Sequence, residues 1–146
     1  MSASPFDALL ATYVAAARSR NIANMVGLYH DEALLYDMWG TWQKRGMADV
    51  QAMVDAWFGG VAAGETVVVT FSDVETATSG DLATATGYVA FSAIDEGGKQ
   101  LRAMDTRFTF IARQHGGEWK ITHQHFSAPV NPQSMTMLFN REMPGQ

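Results

Sequence analysis

The spacing of the apolar residues changes once along this chain, and that change constrains the fold more than any other feature. Up to Gly60, apart from one short strand, the apolar residues recur at helical intervals, whereas from Glu65 onward they alternate with polar residues. The alternating part predicts four strands, near residues 65–76, 81–94, 100–114 and 118–127. Short, glycine-rich separators indicate that consecutive strands pair as antiparallel hairpins.

The first part of the chain predicts three helices and one short strand. Ser4, followed by proline and then an acid, is typical of a helix start. Asn21 can cap a second, shorter helix, and residues 34–39 form the strand. The third helix is expected to stop at Gly59 and Gly60 in a left-handed conformation. Helices followed by a meander of strands indicate an α+β fold with the helices packed on one sheet face.

Composition narrows the classes of function. The 146 residues suit one domain, assigned to 1–131, with 132–146 as a tail. That tail carries several apolar side chains, so we expect it to cover a sheet edge, a pocket mouth or a partner subunit, with simple fraying as the alternative.

The net charge of -5 disfavours nucleic-acid binding, and the absence of cysteine excludes disulfides and thiolate ligands. The residues from Met1 to Asp7 lack a basic segment before an apolar run, so we expect a cytoplasmic protein that does not enter membranes.

Three stretches of the sequence carry motifs that point to a family. They are Leu28-Tyr29-His30-Asp31-Glu32-Ala33 with Leu35-Tyr36-Asp37 and Gly46; Thr106-Arg107 with Gly116 to Trp119; and His123 to Pro129. The first resembles ketosteroid isomerases and SnoaL-like polyketide cyclases, and the other two resemble the association domain of calcium/calmodulin-dependent kinase II. Together they are similar to the nuclear transport factor 2-like superfamily. The resemblance implies a cone-shaped roll, in which N-terminal helices pack on a strongly curved, mainly antiparallel sheet that encloses one pocket. It does not fix the function, because this fold hosts isomerases, cyclases, dehydratases and binding modules.

Asp37 is the leading candidate for catalysis. It lies between the apolar residues Leu35 and Trp39 on one face of the predicted strand, where a carboxylate is poorly solvated and could abstract a proton. The resemblance to ketosteroid isomerase implies a proton-shuttling role for Asp37, a phenol donor at Tyr13 and a second acid at Asp105. The alternatives are a strand-end carboxylate bonded to backbone amides and, for Tyr13, a core tyrosine.

His123 and His125 are two residues apart on the last strand, so their side chains point to the same face. On the pocket face, either imidazole could polarise a carbonyl or orient Asp37, and His125 is taken as a second catalytic residue. On the convex face, both would lie at a subunit interface. Zinc held by the pair with Asp105 is a weaker alternative, and we expect no metal.

Arg107 is implied by the resemblance to the kinase association domain to line the pocket, where its guanidinium could clamp a carboxylate. Alternatively, it forms a salt bridge to Asp105 or Asp37. Trp39 and Trp57 could wall a pocket for a ring-shaped molecule, or could simply be core residues.

Two functions are therefore expected. One is an isomerase, cyclase or dehydratase that uses Asp37 as a base on a small hydrophobic carbonyl compound. The other is a non-catalytic module that binds a small carboxylate through Arg107 or assembles subunits. Contact between Asp37 and Arg107 would favour the second function, and separation would favour the first. No nucleotide or phosphate-binding motif is present, so we expect no cofactor. A symmetric homodimer is expected, because one face of such a sheet needs a cover.

Overall fold

The computed structural model describes residues 3–141, which form helices at the N-terminal end and a large mixed sheet. The helices are α1 (Pro5–Ser19), α2 (Ile22–Val26) and α3 (Met47–Gly59). The strands are β1 (Tyr29–Tyr36), β2 (Lys44–Arg45), β3 (Thr66–Ser79), β4 (Leu82–Ile94), β5 (Gln100–His115), β6 (Glu118–Ser127), β7 (Val130–Asn131) and β8 (Thr136–Met137). Within the described range, no helix is both long enough and apolar enough to cross a membrane.

The helix starts follow the local sequence. Ser4 caps α1: its side chain accepts a hydrogen bond from the Phe6 amide at 3.1 Å, while Asp7 accepts one from the Ser4 amide at 3.1 Å. Asn21 caps α2 by accepting from the Asn24 amide at 3.0 Å. Both predicted caps are therefore confirmed.

Two local predictions are wrong. The first strand begins at Tyr29 rather than at Leu34 and ends at Tyr36, because its early residues pair with β6, with Tyr29 opposite Ile121. The end of α3 is not left-handed, since Gly60 has a φ of −84° and its amide donates to carbonyls of the last helical turn.

The sheet has the strand order β2-β1-β6-β5-β4-β3. All neighbouring strands are antiparallel except β1 and β6, which run parallel. The four long strands agree closely with the four predicted from alternation. The expected α+β fold, with helices packed on a mainly antiparallel sheet, is thus confirmed, and the sheet remains open rather than closing into a barrel.

The core lies between the helices and one sheet face. Phe110 of β5 is completely buried, and its ring has neighbours on α1, on β3 and along the sheet. These aromatic neighbours are Phe6, Tyr13, Phe71, Phe108 and Phe126. Since strand residues alternate between faces, burial of Phe108 and Phe110 directs Arg107 and Thr109 to the opposite, outer face.

The C-terminal segment follows the sheet edge beyond the end of β6. There the amide of Asp105 donates to the carbonyl of Phe139 at 2.7 Å, and the Phe139 ring stacks on Trp39 with centroids 6.0 Å apart. The guanidinium of Arg141 lies 3.3 Å from the centre of the Tyr88 ring. As far as residue 141, the tail therefore covers a sheet edge; residues 142–146 lie outside the described residues.

Candidate functional site

An inner cavity of about 450 Å³ lies between the helices and the concave side of the sheet. Its walls are mainly apolar, with methionine and aromatic side chains on several sides. The lining residues are Tyr13, Met25, Tyr29, Asp37, Met38, Trp39, Lys44, Met53, Ala56, Trp57, Phe91, Met104, Gln124 and Phe126. A mostly apolar cavity with a few polar groups is the usual form of a small-molecule site. Tyr13, Asp37, Trp39 and Trp57, four of the candidate residues from the sequence, are in it.

Three buried polar side chains form what we term the floor of this cavity: Tyr13 on α1, Tyr29 on β1 and Gln124 on β6. Each is at most 2% exposed. The Tyr29 hydroxyl donates a hydrogen bond to Oε1 of Gln124. Burial raises the pKa of Tyr13 well above its ordinary value of 10, and the nearby Tyr29 raises it further. Burial likewise raises the pKa of Tyr29. Both phenols are therefore neutral donors at physiological pH.

At another part of the cavity wall, the Asp37 carboxylate is paired with a lysine. Oδ2 of Asp37 lies 2.8 Å from Nζ of Lys44, and Oδ1 accepts a hydrogen bond from the Trp39 amide at 3.0 Å. Only 9% of the Asp37 side chain is exposed. The ion pair and the hydrogen bond from the Trp39 amide fix the position of the carboxylate.

The chain path explains this pairing. Asp37 directly follows β1, and the loop after it returns as β2, where Lys44 is the register partner of Leu35. Both side chains therefore reach the same end of the cavity. Gly46, with a φ of +86°, then turns the chain into α3, which supplies Met53 and Trp57 to the wall.

A second, outer depression of about 780 Å³ lies on the other side of the loop between β1 and β2. Asp37 borders it as well, together with His125, so the structure brings these two candidate residues near one space. Its wall includes Trp42, whose side chain is 96% exposed. Because the inner cavity has buried polar groups and more apolar walls, we take the inner cavity as the candidate site.

The two histidines do not lie in the inner cavity; of the two positions that the sequence left open, the structure has them on the outer face. Gln124 and Phe126 point inward from β6, and strand alternation therefore sends His123 and His125 to the outer face. There Nδ1 of His123 donates to the Leu34 carbonyl at 2.8 Å. Both imidazoles pack edge-on against Tyr36.

Arg107 and Asp105 are also outside the inner cavity, for the same reason of alternation along β5, so the expectation that Arg107 lines the pocket is wrong. Nε of Arg107 donates to the Ser127 hydroxyl at 3.1 Å, and Asp105 accepts from the amide of Arg141 at 2.9 Å. Both residues border a smaller outer cleft of about 270 Å³ that the tail helps to build. Asp37 is paired with Lys44 and not with Arg107.

Among residues 3–141, no group of three or more histidine, aspartate or glutamate side chains could hold a metal ion. The zinc alternative with His123, His125 and Asp105 therefore has no geometric support.

Reasoning from the sequence missed three polar residues of the site: Tyr29, Lys44 and Gln124. Gln124 carried a usable signal, since it is the polar residue on the face of β6 opposite the histidines. Lys44 and Tyr29 carried none, because their positions depend on β1 pairing with β2 and with β6.

The arrangement offers a carboxylate base, a neighbouring ammonium group and neutral phenol donors around an apolar space. Such a set can bind a small ring compound and can move a proton on it.

Comparison with solved structures identifies the fold. The chain is similar to an NTF2-like protein of unknown function from Pseudomonas putida KT2440, with 23% identity over 94% of each chain and a TM-score of 0.81. It is also similar to a protein from Xanthomonas campestris named for the calcium/calmodulin-dependent protein kinase II association domain, with 20% identity over 85% of each chain and a TM-score of 0.71. A third similar structure is an uncharacterised protein with a cystatin-like fold from Caulobacter vibrioides, with 18% identity over 89% of this chain and 90% of that one, and a TM-score of 0.69.

No curated protein matches the sequence significantly. Residues 7–131 match the family described as the SnoaL-like domain, which is most of the chain and nearly all of the part assigned to the domain. The superfamily resemblance inferred from the sequence motifs is thereby confirmed. The chain belongs to the SnoaL-like domain family.

Proposed function

We propose that the protein binds a small, largely apolar carbonyl compound in the inner cavity and that Asp37 acts on it as a general base. One observation carries this proposal: the carboxylate of Asp37 borders a mainly apolar cavity, while Lys44 and a backbone amide fix its position. A base must be ionised and fixed within reach of the proton that it removes.

Asp37 keeps spare capacity to accept a proton. A carboxylate offers about four lone-pair positions, and two protein groups bond to this one, Nζ of Lys44 and the amide of Trp39. Its separation from Arg107 agrees with the catalytic alternative of the two expected from the sequence. The positive charge beside Asp37 comes from Lys44, whereas the sequence had suggested that Arg107 would supply it.

The reaction that fits these groups begins at the carbon next to a carbonyl. Asp37 takes a proton from that carbon, and the electron pair of the C–H bond moves to form an enolate whose negative charge lies mainly on the carbonyl oxygen. The neutral hydroxyl of Tyr13, which borders the same cavity, is a suitable donor to that oxygen. Return of the proton to another carbon of the same ligand would complete an isomerisation.

Exchange of α-protons for deuterium tests the first step without knowledge of the natural substrate. The probe is 1-tetralone in D₂O, followed by proton NMR with and without the protein. The wild-type protein should accelerate exchange, and Asp37→Asn should lose most of that acceleration while its circular dichroism spectrum still shows the wild-type fold. Asp55→Asn, an exposed residue of α3, is the matched control and should exchange at the wild-type rate. Unchanged exchange in Asp37→Asn would end the proposal.

Carboxylate binding in the outer cleft is a second candidate function. It is supported by Arg107, whose Nε bonds to Ser127 while its terminal nitrogens have no partner among residues 3–141. A guanidinium with free terminal nitrogens can bind a carboxylate with two hydrogen bonds. Benzoate and succinate should then raise the melting temperature of the wild type and of an Arg113→Ala control, but not that of Arg107→Ala. A shift that persists in Arg107→Ala would count against this function.

We also propose that two chains assemble through the outer face. The exposed Trp42 and the cluster of Tyr36 with the two histidines supply apolar and aromatic surface there. Light scattering after size-exclusion chromatography should give the mass of a dimer at micromolar concentration. A monomeric mass would contradict this assembly.

A further inference from the structure

The floor of the inner cavity presents hydrogen-bond donors that the protein itself does not use. Tyr13 has no hydrogen-bond partner for its hydroxyl among the described residues, and the amide nitrogen of Gln124 has none either. No fully buried side-chain nitrogen or oxygen in that range is left unpaired, so both groups must border accessible space. The space that they share is the inner cavity. An unused donor in so buried a place marks where a ligand atom belongs.

Tyr29 fixes which group of Gln124 faces the cavity. Its hydroxyl donates to Oε1, which occupies the acceptor oxygen of the amide. The amide nitrogen, which can only donate, is what remains for a ligand. Tyr29 is itself fully surrounded by the fold, at 2% exposure, so the orientation of Gln124 is set before any ligand arrives.

Tyr13 is the third polar residue of the cavity floor. Tyr13 lines the same cavity as Tyr29 and Gln124. A ligand held in this cavity can therefore face both Tyr13 and Gln124. Met53 and other apolar side chains line the rest of the cavity, whose volume of about 450 Å³ can hold a small ring compound.

We propose that Gln124, oriented by Tyr29, is a specificity-determining residue that with Tyr13 selects ligands carrying a bare acceptor oxygen, such as a ketone or a quinone, at the inner end. This inference rests on the proposed function, because it assigns the ligand class of the same cavity. An alcohol oxygen can also accept from these donors, but its own hydrogen then has no acceptor unless Tyr13 stops donating. A hydrocarbon leaves both donors without partners. Each of these mismatches lowers affinity.

Binding of three matched ring compounds tests the selection: 1-tetralone, 1-tetralol and tetralin, which share a carbon skeleton. Dissociation constants are measured by quenching of tryptophan fluorescence, since Trp39 and Trp57 line the cavity. The measurements use the Asp37→Asn background, so that no proton transfer contributes. The ketone should bind roughly fivefold or more tightly than either analogue, which corresponds to one well-placed hydrogen bond.

Gln124→Glu reverses the polarity of the floor while preserving its shape. One carboxylate oxygen can still accept from Tyr29, but the other now presents an acceptor to the ligand. At pH 8 the preference for the ketone should fall to about equal affinity with tetralin. Gln114→Glu makes the same change at an exposed position of β5 and should keep the preference. Circular dichroism confirms the fold of each variant.

Tyr29→Phe tests the positioning role of Tyr29 separately, because it frees the Gln124 amide to rotate. The ketone preference should shrink while the affinity for tetralin stays within about twofold.

Equal affinity of the wild type for all three compounds, or binding of none of them up to their solubility, overturns the inference. An unchanged ketone preference in both Gln124→Glu and Tyr29→Phe overturns it too. Binding is measured in the Asp37→Asn background, so it does not depend on whether Asp37 acts as a base. If the proposed base chemistry is wrong, only the deuterium-exchange experiment will fail.

Discussion

Nζ of Lys44 lies 2.8 Å from Oδ2 of Asp37, and Asp37 borders both the inner cavity and the outer depression. The pair joins a two-residue strand to the residue just after β1, so it fixes the loop that separates the two spaces. It therefore has a structural role as well as orienting Asp37.

Lys44→Met should lower the free energy of unfolding by about 1–3 kcal/mol, because the Asp37 carboxylate loses its cation where only part of it can reach water. Urea unfolding followed by circular dichroism measures the change. Arg102→Met is the matched control: it breaks the ion pair with Glu65, in which the arginine side chain is 56% exposed, and should cost less. Equal losses in the two variants would show that Lys44 does not hold Asp37 in place.

The two phenols of the cavity floor should resist ionisation. Burial raises the pKa of Tyr13 and of Tyr29 above the ordinary value of 10, so both stay protonated in the folded protein at a pH where free tyrosine ionises. When the pH is raised, the absorbance of phenolate that appears before the protein unfolds should come from the other tyrosines. Tyr13→Phe and Tyr29→Phe should therefore each leave this absorbance unchanged. A decrease in that absorbance for either variant would contradict the burial of its hydroxyl.

The same shift has a consequence for stability. A folded-state pKa above the unfolded value means that the unfolded chain releases these protons first, so stability is complete below pH 10 and falls as the pH rises above it. Tyr29→Phe should therefore lose less stability than the wild type when the pH is raised above 10. Urea midpoints of the variant and the wild type at pH 8 and at pH 10.5 measure it.

The contact between Phe139 and Trp39 ties the tail to a wall of the inner cavity. Phe139→Ala should reduce stability by about 1 kcal/mol and shift the tryptophan emission to longer wavelength, because Trp39 loses its stacking partner and gains water. Phe139→Leu keeps apolar bulk without a ring and should give a smaller spectral shift. Identical spectra for the wild type and Phe139→Ala would mean that the tail does not cover Trp39 in solution.

Most of the fold could be predicted from the sequence because its signals are local. Ser4 and Asn21 cap the helices to which they are adjacent in the chain, and the alternation from Glu65 onward marks strands that pair with their sequence neighbours. The exception is β1, whose bounds are set by a parallel partner from the far end of the chain, β6. That contact leaves no local pattern near Tyr29.

The candidate site could be predicted only in part. There is a physical reason why some residues were assigned correctly to the cavity and others were not. Alternation shows which residues share a face but not which face is concave, so His123 and Gln124 were equally eligible for the cavity. The helices settle the choice by covering the face of Phe110, and Gln124 goes with it. Arg107 and Asp105 were assigned to the pocket by resemblance, and they follow the histidines to the outer face.

Gly87 of β4 lies beside a bulge in β3, where the two backbones approach each other closely. A β-bulge interrupts the register between Ser72 and Glu75 of β3, opposite this part of β4, and such bulges bend the strand that carries them. A Cβ atom added at Gly87 would lie 2.8 Å from the carbonyl oxygen of Ser72 and 3.0 Å from that of Asp73. Because both are backbone atoms, the strands would have to separate.

Gly87→Ala should therefore lower the free energy of unfolding by about 1–3 kcal/mol, the usual cost of forcing extra atoms into a packed region. Gly59→Ala is the matched control, since a Cβ there meets nothing within 4 Å and the residue is the last of α3; it should be neutral or slightly stabilising. Urea unfolding of both variants measures the difference. If Gly87→Ala were as stable as Gly59→Ala, the close approach of β3 to β4 would not exist in solution.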